Sequence, residues 1–276
     1  MAFPYIYPTI TNLPSGYDCT VVLPLTQLER LLPQPCARVL WAIRVFCEGQ
    51  QLVDEERELL FRDGSLQGVP PPPFVWKDRG PAGGEHSGFL EMSFRAVDQA
   101  ALFASRMPLR GYAIHSAAGK KSFFSDYAYK FAQPPIISQI AAFGRYVEGY
   151  PVVHLDVDRD LGETLALINP YTKPLVARVL LSDGRDTPRF KVPPLSVRNV
   201  RLAELLRAGE RVWLGQIQLT ASNRLVPYHI KHSLADPRLI SDHEHLDPFR
   251  SDPTYLPATQ WLRQRIGKLL VYSGLR

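Results

Sequence analysis

Between residues 149 and 232 apolar and polar side chains alternate with a period of two, the spacing of strands buried on one face. Val153, Leu155 and Val157 alternate with His154, Asp156 and Asp158, and Trp213, Gly215, Ile217 and Leu219 alternate with Gln216, Gln218 and Thr220. Apolar runs at 165–168 and 175–181 lie between them, followed by 189–192, by 197–202 with Arg198 and Arg201 facing out, and by 225–232. Turn signals separate the runs: Asn169–Pro170, Ser182–Asp183–Gly184, Pro193–Pro194 and Asn223. Short strands recurring about every ten residues with such punctuation predict an antiparallel sandwich.

The first half is less regular. Residues 38–47 (RVLWAIRVFC) form a nearly continuous apolar run with Val39, Trp41, Ile43 and Val45 at even spacing, which predicts a buried strand. Further strands are predicted around Leu90, Met92, Phe94 and Ala96, and at Arg110, Tyr112 and Ile114. Residues 97–105 predict one or two helical turns. Leu25, Leu28, Leu31 and Leu32 have helical spacing, cut short by Pro33 and Pro35. Residues 1–17, with Pro4, Pro8 and Pro14, read as an extended arm rather than a regular element. An acidic stretch at 54–58 precedes a long surface loop at 68–84, with prolines at 70–73 and the run GPAGG. Its polyproline core serves as a spacer or as a ligand for a partner, and the spacer is the favoured reading. After Pro257 the pattern changes to Leu262, Ile266, Leu269 and Leu270, one stripe of an amphipathic helix that packs on its own domain or on a neighbouring subunit.

The expected fold is therefore mainly β: two tandem antiparallel β-sandwich domains with a C-terminal amphipathic helix. The expected domains are 1–148, carrying the arm and the Pro-rich loop, then 149–250, then a helical tail at 251–276. A length of 276 residues suits two domains, and 25 prolines favour short strands joined by turns.

The net charge of +5 is spread along the chain rather than clustered, which argues against nucleic acid as a partner. Cys19, Cys36 and Cys47 are odd in number and lack CxxC spacing, so reduced thiols are expected. No apolar stretch is long enough to span a membrane, and the N-terminus lacks the basic and apolar regions of a signal peptide. A cytoplasmic location is the expectation.

One segment occurs twice. Residues 112–129 (YAIHSAAGKKSFFSDYAY) match 228–245 (YHIKHSLADPRLISDHEH) in an opening tyrosine, a His-Ser pair (His115–Ser116, His232–Ser233), a polar loop, and a closing Ser-Asp-ring-x-ring. One gap is needed in the loop, and each instance falls near the end of its half, which favours an internal duplication. In addition, ETLALINPYTKPLVARVLLSDG, RFKVPPLSVRNVRLAELL and WLGQIQLTASNRLVPYHIKHSLAD show an Asn-containing turn, an Asp-containing hairpin, a strand ending at Val-Pro and a short acidic-Leu segment. On these features residues 163–242 resemble the sensory rhodopsin transducer family. The resemblance implies a soluble, self-associating β-sandwich that acts as a binding or signalling module; it carries over neither a ligand nor catalytic residues.

Candidate chemistry concentrates in the repeated segment. A carboxylate beside rings suits a sugar, whose hydroxyls pair with the oxygens while a ring covers its apolar face. Ser125, Asp126, Tyr127 and Tyr129 offer this once, and Ser241, Asp242, His243 and His245 a second time. The competing account is that Ser-Asp caps a turn and the rings pack. His229, His232, Asp242, His243, Glu244, His245 and Asp247 also mix imidazole and carboxylate, as zinc or iron sites do, with His232, His243 and His245 as the candidate ligands. Against that, His229 and His232 fall on opposite faces of a strand, there is no HExxH, and the first copy has Tyr127 and Tyr129 where the second has histidines. Gly119-Lys120-Lys121-Ser122 is not a phosphate loop, because Ile114 stands where the earlier glycine is needed. The expected function is a non-enzymatic ligand-binding or scaffold protein, without cofactor, forming a homo-oligomer and binding a carbohydrate or other small polar ligand. The alternatives are a metal-assisted enzyme using 229–247, and a structural subunit whose repeated segments build an interface.

Overall fold

A computed structural model describes residues 2–78, 87–98, 101–105, 109, 111–117, 123–127, 129–130, 146–185, 187–222, 224–246 and 266, with backbone only at 123–127, 129–130 and 146–148. The chain is mainly β, built from antiparallel sheets, and divides into two compact units, Met1–Ala132 and Gln133–Arg276.

In the first unit the order is β1 (Thr9–Leu13), β2 (Tyr17–Val22), α1 (Leu25–Leu31), β3 (Cys36–Cys47), β4 (Gln50–Arg62), β5 (Ser65–Leu66), β6 (Phe74–Trp76), β7 (Gly88–Ala96), β8 (Tyr112–Ala117), β9 (Phe123–Tyr127) and β10 (Tyr129–Lys130). One sheet runs β10-β1-β7-β3-β4-β5 and the other β6-β2-β8-β9. Alternation decides what each strand buries. Val39, Trp41, Ile43 and Val45 of β3, Leu90, Met92 and Phe94 of β7, and Cys19, Val21 and Ala113 of β2 and β8 share one core cluster. At its centre Trp41 stacks on its cross-strand partner Phe94, with centroids 6.2 Å apart. The leucine spacing of α1 places Leu28 in the same cluster.

One expectation for this unit is corrected. The N-terminal arm contains β1, whose five residues are all buried; its Pro4 and Pro8 lie before the strand, where a missing N–H costs no ladder bond. At 97–105, where helical turns are expected, the Ala101 N–H donates to the Asp98 carbonyl three residues back at 3.2 Å, and Phe103 then pairs with Phe3 as an extended bridge.

The second unit runs β11 (Tyr146–Gly149), β12 (Val152–Asp156), β13 (Leu161–Asn169), β14 (Leu175–Leu181), β15 (Arg189–Val192), β16 (Ser196–Arg201), a 3-10 turn (Leu202–Leu205), β17 (Val212–Ala221), β18 (Val226–Ser233) and β19 (Ile240–His245). β17 pairs with β12 over its first half and with β14 and β11 over its second. β13 lies between β16 and β18, and β19 closes the edge beyond β18.

The two units share a strand order. Leaving out β5, β10 and β11, which have no counterpart in the other unit, the first unit pairs β1-β7-β3-β4 and β6-β2-β8-β9, and the second pairs β12-β17-β14-β15 and β16-β13-β18-β19. Numbered within each unit, both read 1-6-3-4 and 5-2-7-8; in the second unit a β12–β13 pair, Asp156 opposite Leu161, also joins the two groups into one sheet. The expected C-terminal helix lies outside the described residues apart from Ile266, which is helical and exposed.

Candidate functional site

The two repeated segments become hairpins, β8–β9 and β18–β19, and each provides the edge of its sheet. In the first hairpin Tyr112 lies opposite Tyr127, Ala113 opposite Asp126, and Ile114 opposite Ser125. Residues directly opposite share a face, and neighbours along a strand alternate. Ser125 and Tyr127 thus take register positions with Ile114 and Tyr112, while Asp126 takes the register of buried Ala113. Tyr129 belongs to β10 and lies opposite Ile10 of the other sheet. The backbone therefore divides the four residues that the sequence groups together.

The face shared by Tyr112 and Ile114 is open. Tyr112 and Ile114 are 41% and 40% exposed, and Val22 and Val75 of the adjoining strands are exposed with them. Val22 pairs with Tyr112, and Thr20 pairs with Ile114 on one side and Val75 on the other. The opposite face of the same strands carries the core residues Cys19, Val21 and Ala113.

In the second hairpin the equivalent tyrosine and isoleucine are covered: Tyr228 is fully buried and Ile230 nearly so. His245 lies opposite Tyr228 and His243 opposite Ile230. The Tyr228 ring meets His243 at 4.8 Å and His245 at 6.2 Å between centroids. Asp242 lies on the other face and pairs across the strands with Lys231, Nζ donating to Oδ2 at 2.7 Å. That bond raises the Lys231 pKa above the ordinary lysine value. Ser241 donates its hydroxyl to the Lys231 carbonyl at 3.2 Å. Of the residues grouped by sequence, His243 and His245 come together and Asp242 stands apart, committed to a cation.

The remaining histidines are held by β13. His229 Nε2 donates to Glu163 Oε2 at 2.5 Å, and Glu163 Oε1 accepts the backbone N–H of His154 at 2.9 Å. Both side chains are buried. Glu244 Oε1 stands 3.6 Å from His229 Nδ1. His232 donates from Nδ1 to the Ser233 carbonyl at 2.8 Å, and its Nε2 shares a hydrogen bond of 2.9 Å with the Thr164 hydroxyl. Glu163 and Thr164 are neighbours on one strand, so His229 and His232 sit on opposite faces. Among the described residues no three His, Cys, Asp or Glu side chains converge as metal ligands; Asp247 lies outside them.

Glu163 escaped the sequence reading of the site. Its signal was a lone acid opening the apolar run of β13 (LGETLALIN). The described cysteines are free thiols; Cys19 is buried, which pushes its pKa up to about 12 and disfavours the thiolate a nucleophile needs. Gly119-Lys120-Lys121-Ser122 lies outside the described residues. Among the described residues no helix is long and apolar enough to cross a membrane. No family model matches the chain, and no curated protein or solved structure is significantly similar to it.

Proposed function

We propose that this chain is a tandem pair of β-sandwich modules, derived from one duplicated unit, that works by binding rather than by catalysis. The shared order 1-6-3-4 and 5-2-7-8 supports the duplication, because a sandwich has many possible strand orders and the repeated hairpins take the same place in both. The resemblance of 163–242 to the transducer family implies the same kind of self-associating module, here working in the cytoplasm as a homo-oligomer.

The ligand is a carbohydrate or a similar small polar molecule, taken on the outer face of β6-β2-β8-β9. The observation that carries this reading is the exposed pair Tyr112 and Ile114 beside the register positions of Ser125 and Tyr127. Tyr112 is followed along the same face by Ile114, flanked by the hydroxyl-bearing positions Thr20 and Ser125, and then by Ser116, so an apolar plate and hydrogen-bonding partners lie on one surface. The second copy contributes structure: its tyrosine is covered, its aspartate is bound to Lys231, and its buried histidine is bound to Glu163.

Glycan-array screening of the full chain, followed by calorimetry on the best hit, tests this. Tyr112→Ala is expected to weaken binding about tenfold, the worth of one stacked ring. A Lys231→Ala variant, altered at the equivalent second hairpin, is expected to bind as the wild type does. Absence of any glycan hit, or equal affinity of the Tyr112→Ala protein, rejects the assignment.

A further inference from the structure

The proline run at 70–73 has a geometry of its own. Each proline holds φ near −65° and drives the residue before it into the extended region. Val69 to Pro73 is therefore one short polyproline II helix, in which side chains three apart lie on one ridge.

Burial follows that period of three. Pro71 is half-buried and Phe74 is buried, whereas Val69, Pro70, Pro72 and Pro73 are exposed, Val69 to 91%. The Pro71–Phe74 ridge rests on the first unit, and the Val69–Pro72 and Pro70–Pro73 ridges face outward. The run is also held in place. Gly68 turns the chain into it at φ +80°, with open space around the glycine, and Phe74 anchors the far end as the first residue of β6. In the middle, Arg57 donates from a terminal guanidinium nitrogen to the Pro72 carbonyl at 2.6 Å. That guanidinium is itself fixed, 5.1 Å over the Trp41 ring and bonded to Glu55.

We propose that Val69 to Pro73 is a docking ligand for a partner domain that reads polyproline II helices with a groove of aromatic rings. Such grooves take two Xaa-Pro pairs in P-x-x-P spacing, and Val69-Pro70 with Pro72-Pro73 supplies both on the two outward ridges. The run has no backbone N–H at the prolines and leaves carbonyls to accept from tyrosine or tryptophan donors in the groove. Because it is already extended and fixed at both ends and in the middle, little conformational entropy remains to be lost on docking. A spacer needs reach alone; two exposed ridges, a third ridge packed inward and a cation clamping the backbone are what a presented epitope needs.

The test titrates the full chain, up to about 1 mM, into three isotope-labelled probes, an SH3, a WW and an EVH1 domain, following their NMR spectra. Saturating shifts confined to the aromatic groove of at least one probe are expected. The paired change Pro70→Ala with Pro73→Ala should weaken that binding about tenfold or more, and Pro71→Ala, on the inward ridge, less than about twofold. If the paired variant loses its native circular dichroism, Val69→Asp places a charge on the other outward ridge and should show the same loss. Absence of shifts in all three probes overturns the proposal. So do undiminished binding by the outward variants and a Pro71→Ala loss as large as theirs.

Discussion

Replacing Asn169 with alanine should be among the most damaging single changes in the second unit, although Asn169 touches no proposed ligand. The side chain is fully buried where β13 ends. Its Oδ1 accepts the N–H of Tyr171 at 3.0 Å, which closes an Asx turn. Its Nδ2 donates to the carbonyls of Lys173 at 2.8 Å, Val192 at 3.2 Å and Pro193 at 2.8 Å, so one amide joins the start of β14 to the β15–β16 connection. The losses are unequal. Lys173 is exposed, and water can replace the amide there. Pro193 keeps a second donor, the Ser196 hydroxyl at 2.8 Å. The Tyr171 N–H and the Val192 carbonyl lose a buried partner, at about 1–3 kcal/mol each. The sum is about 3 kcal/mol, a large share of the roughly 5–15 kcal/mol that holds a domain together. With a urea slope of about 2 kcal/mol per molar, the unfolding midpoint should fall by about 1.5 M. Urea-dependent hydrogen exchange read on peptides from β13 to β16 measures this for the second unit itself. Asn169→Asp keeps the acceptor for Tyr171 but turns an oxygen toward three carbonyls, so it should be no more stable than the alanine variant. A midpoint shift below about 0.5 M for alanine, or an aspartate variant as stable as the wild type, would refute the reasoning.

Two further predictions concern charge. Glu163→Leu and His229→Leu should each cost about 3 kcal/mol or more by leaving a buried polar partner behind, whereas the double variant should cost far less than their sum. Additive losses in a urea double-mutant cycle would mean that the 2.5 Å contact contributes nothing. Arg185 bonds both Asp183 and Glu210 and holds each carboxyl well below its ordinary range, at about 2. A carboxyl lowered on folding adds stability above its unfolded value, near 3.8 for Asp183 and 4.5 for Glu210, and that stability is lost as pH falls toward 2. Arg185→Met should therefore flatten the acid limb of stability between about pH 4.5 and 2; an unchanged limb by thermal melts would show that the cluster does not couple to folding.

What the sequence disclosed depended on how many faces a strand buries. β14 and β15 were legible to the residue, because turn residues bound a short apolar run in the one and alternating apolar positions in the other. β4 was not. Its first nine residues are exposed or half-buried, and the stretch 54–58 reads as acidic rather than as strand. The charges there serve the pairing instead: Arg44 bonds Asp54 and Arg38 bonds Glu58 across β3–β4. Glu163 and His229 were equally hidden as a pair, since 66 residues separate them and neither alone has a spacing signal. Both repeated segments were visible as matches, yet their registers were not. Tyr112 meets the first ring of its Ser-Asp-ring-x-ring segment and Tyr228 meets the second. The loop gap and the irregular step between Lys231 and His232 account for a slide that keeps each face but changes each partner.

That slide also bears on why residue identity could not locate a binding face. Tyr-x-Ile opens both hairpins, and the isolated pattern is the same apolar ridge in each. Exposure separates them: the ridge is open in β8, whose burial alternates strictly, and closed in β18, where Val226 to Ile230 are buried whichever way they point. A strand buried on both faces can afford a buried acid only when that acid is bonded, and β13 carries one, bonded twice. A strand open on one face needs no such compensation there, and on that face β8 carries Ser116 beside Tyr112 and Ile114, while its His115 is fully buried on the other face. The chemistry that looked richest in sequence, the histidine-bearing second hairpin, has its histidines bonded to Glu163 and Thr164 or packed on Tyr228. The plainer first hairpin keeps Tyr112 and Ile114 exposed to solvent, which is why the proposed ligand is assigned to that face.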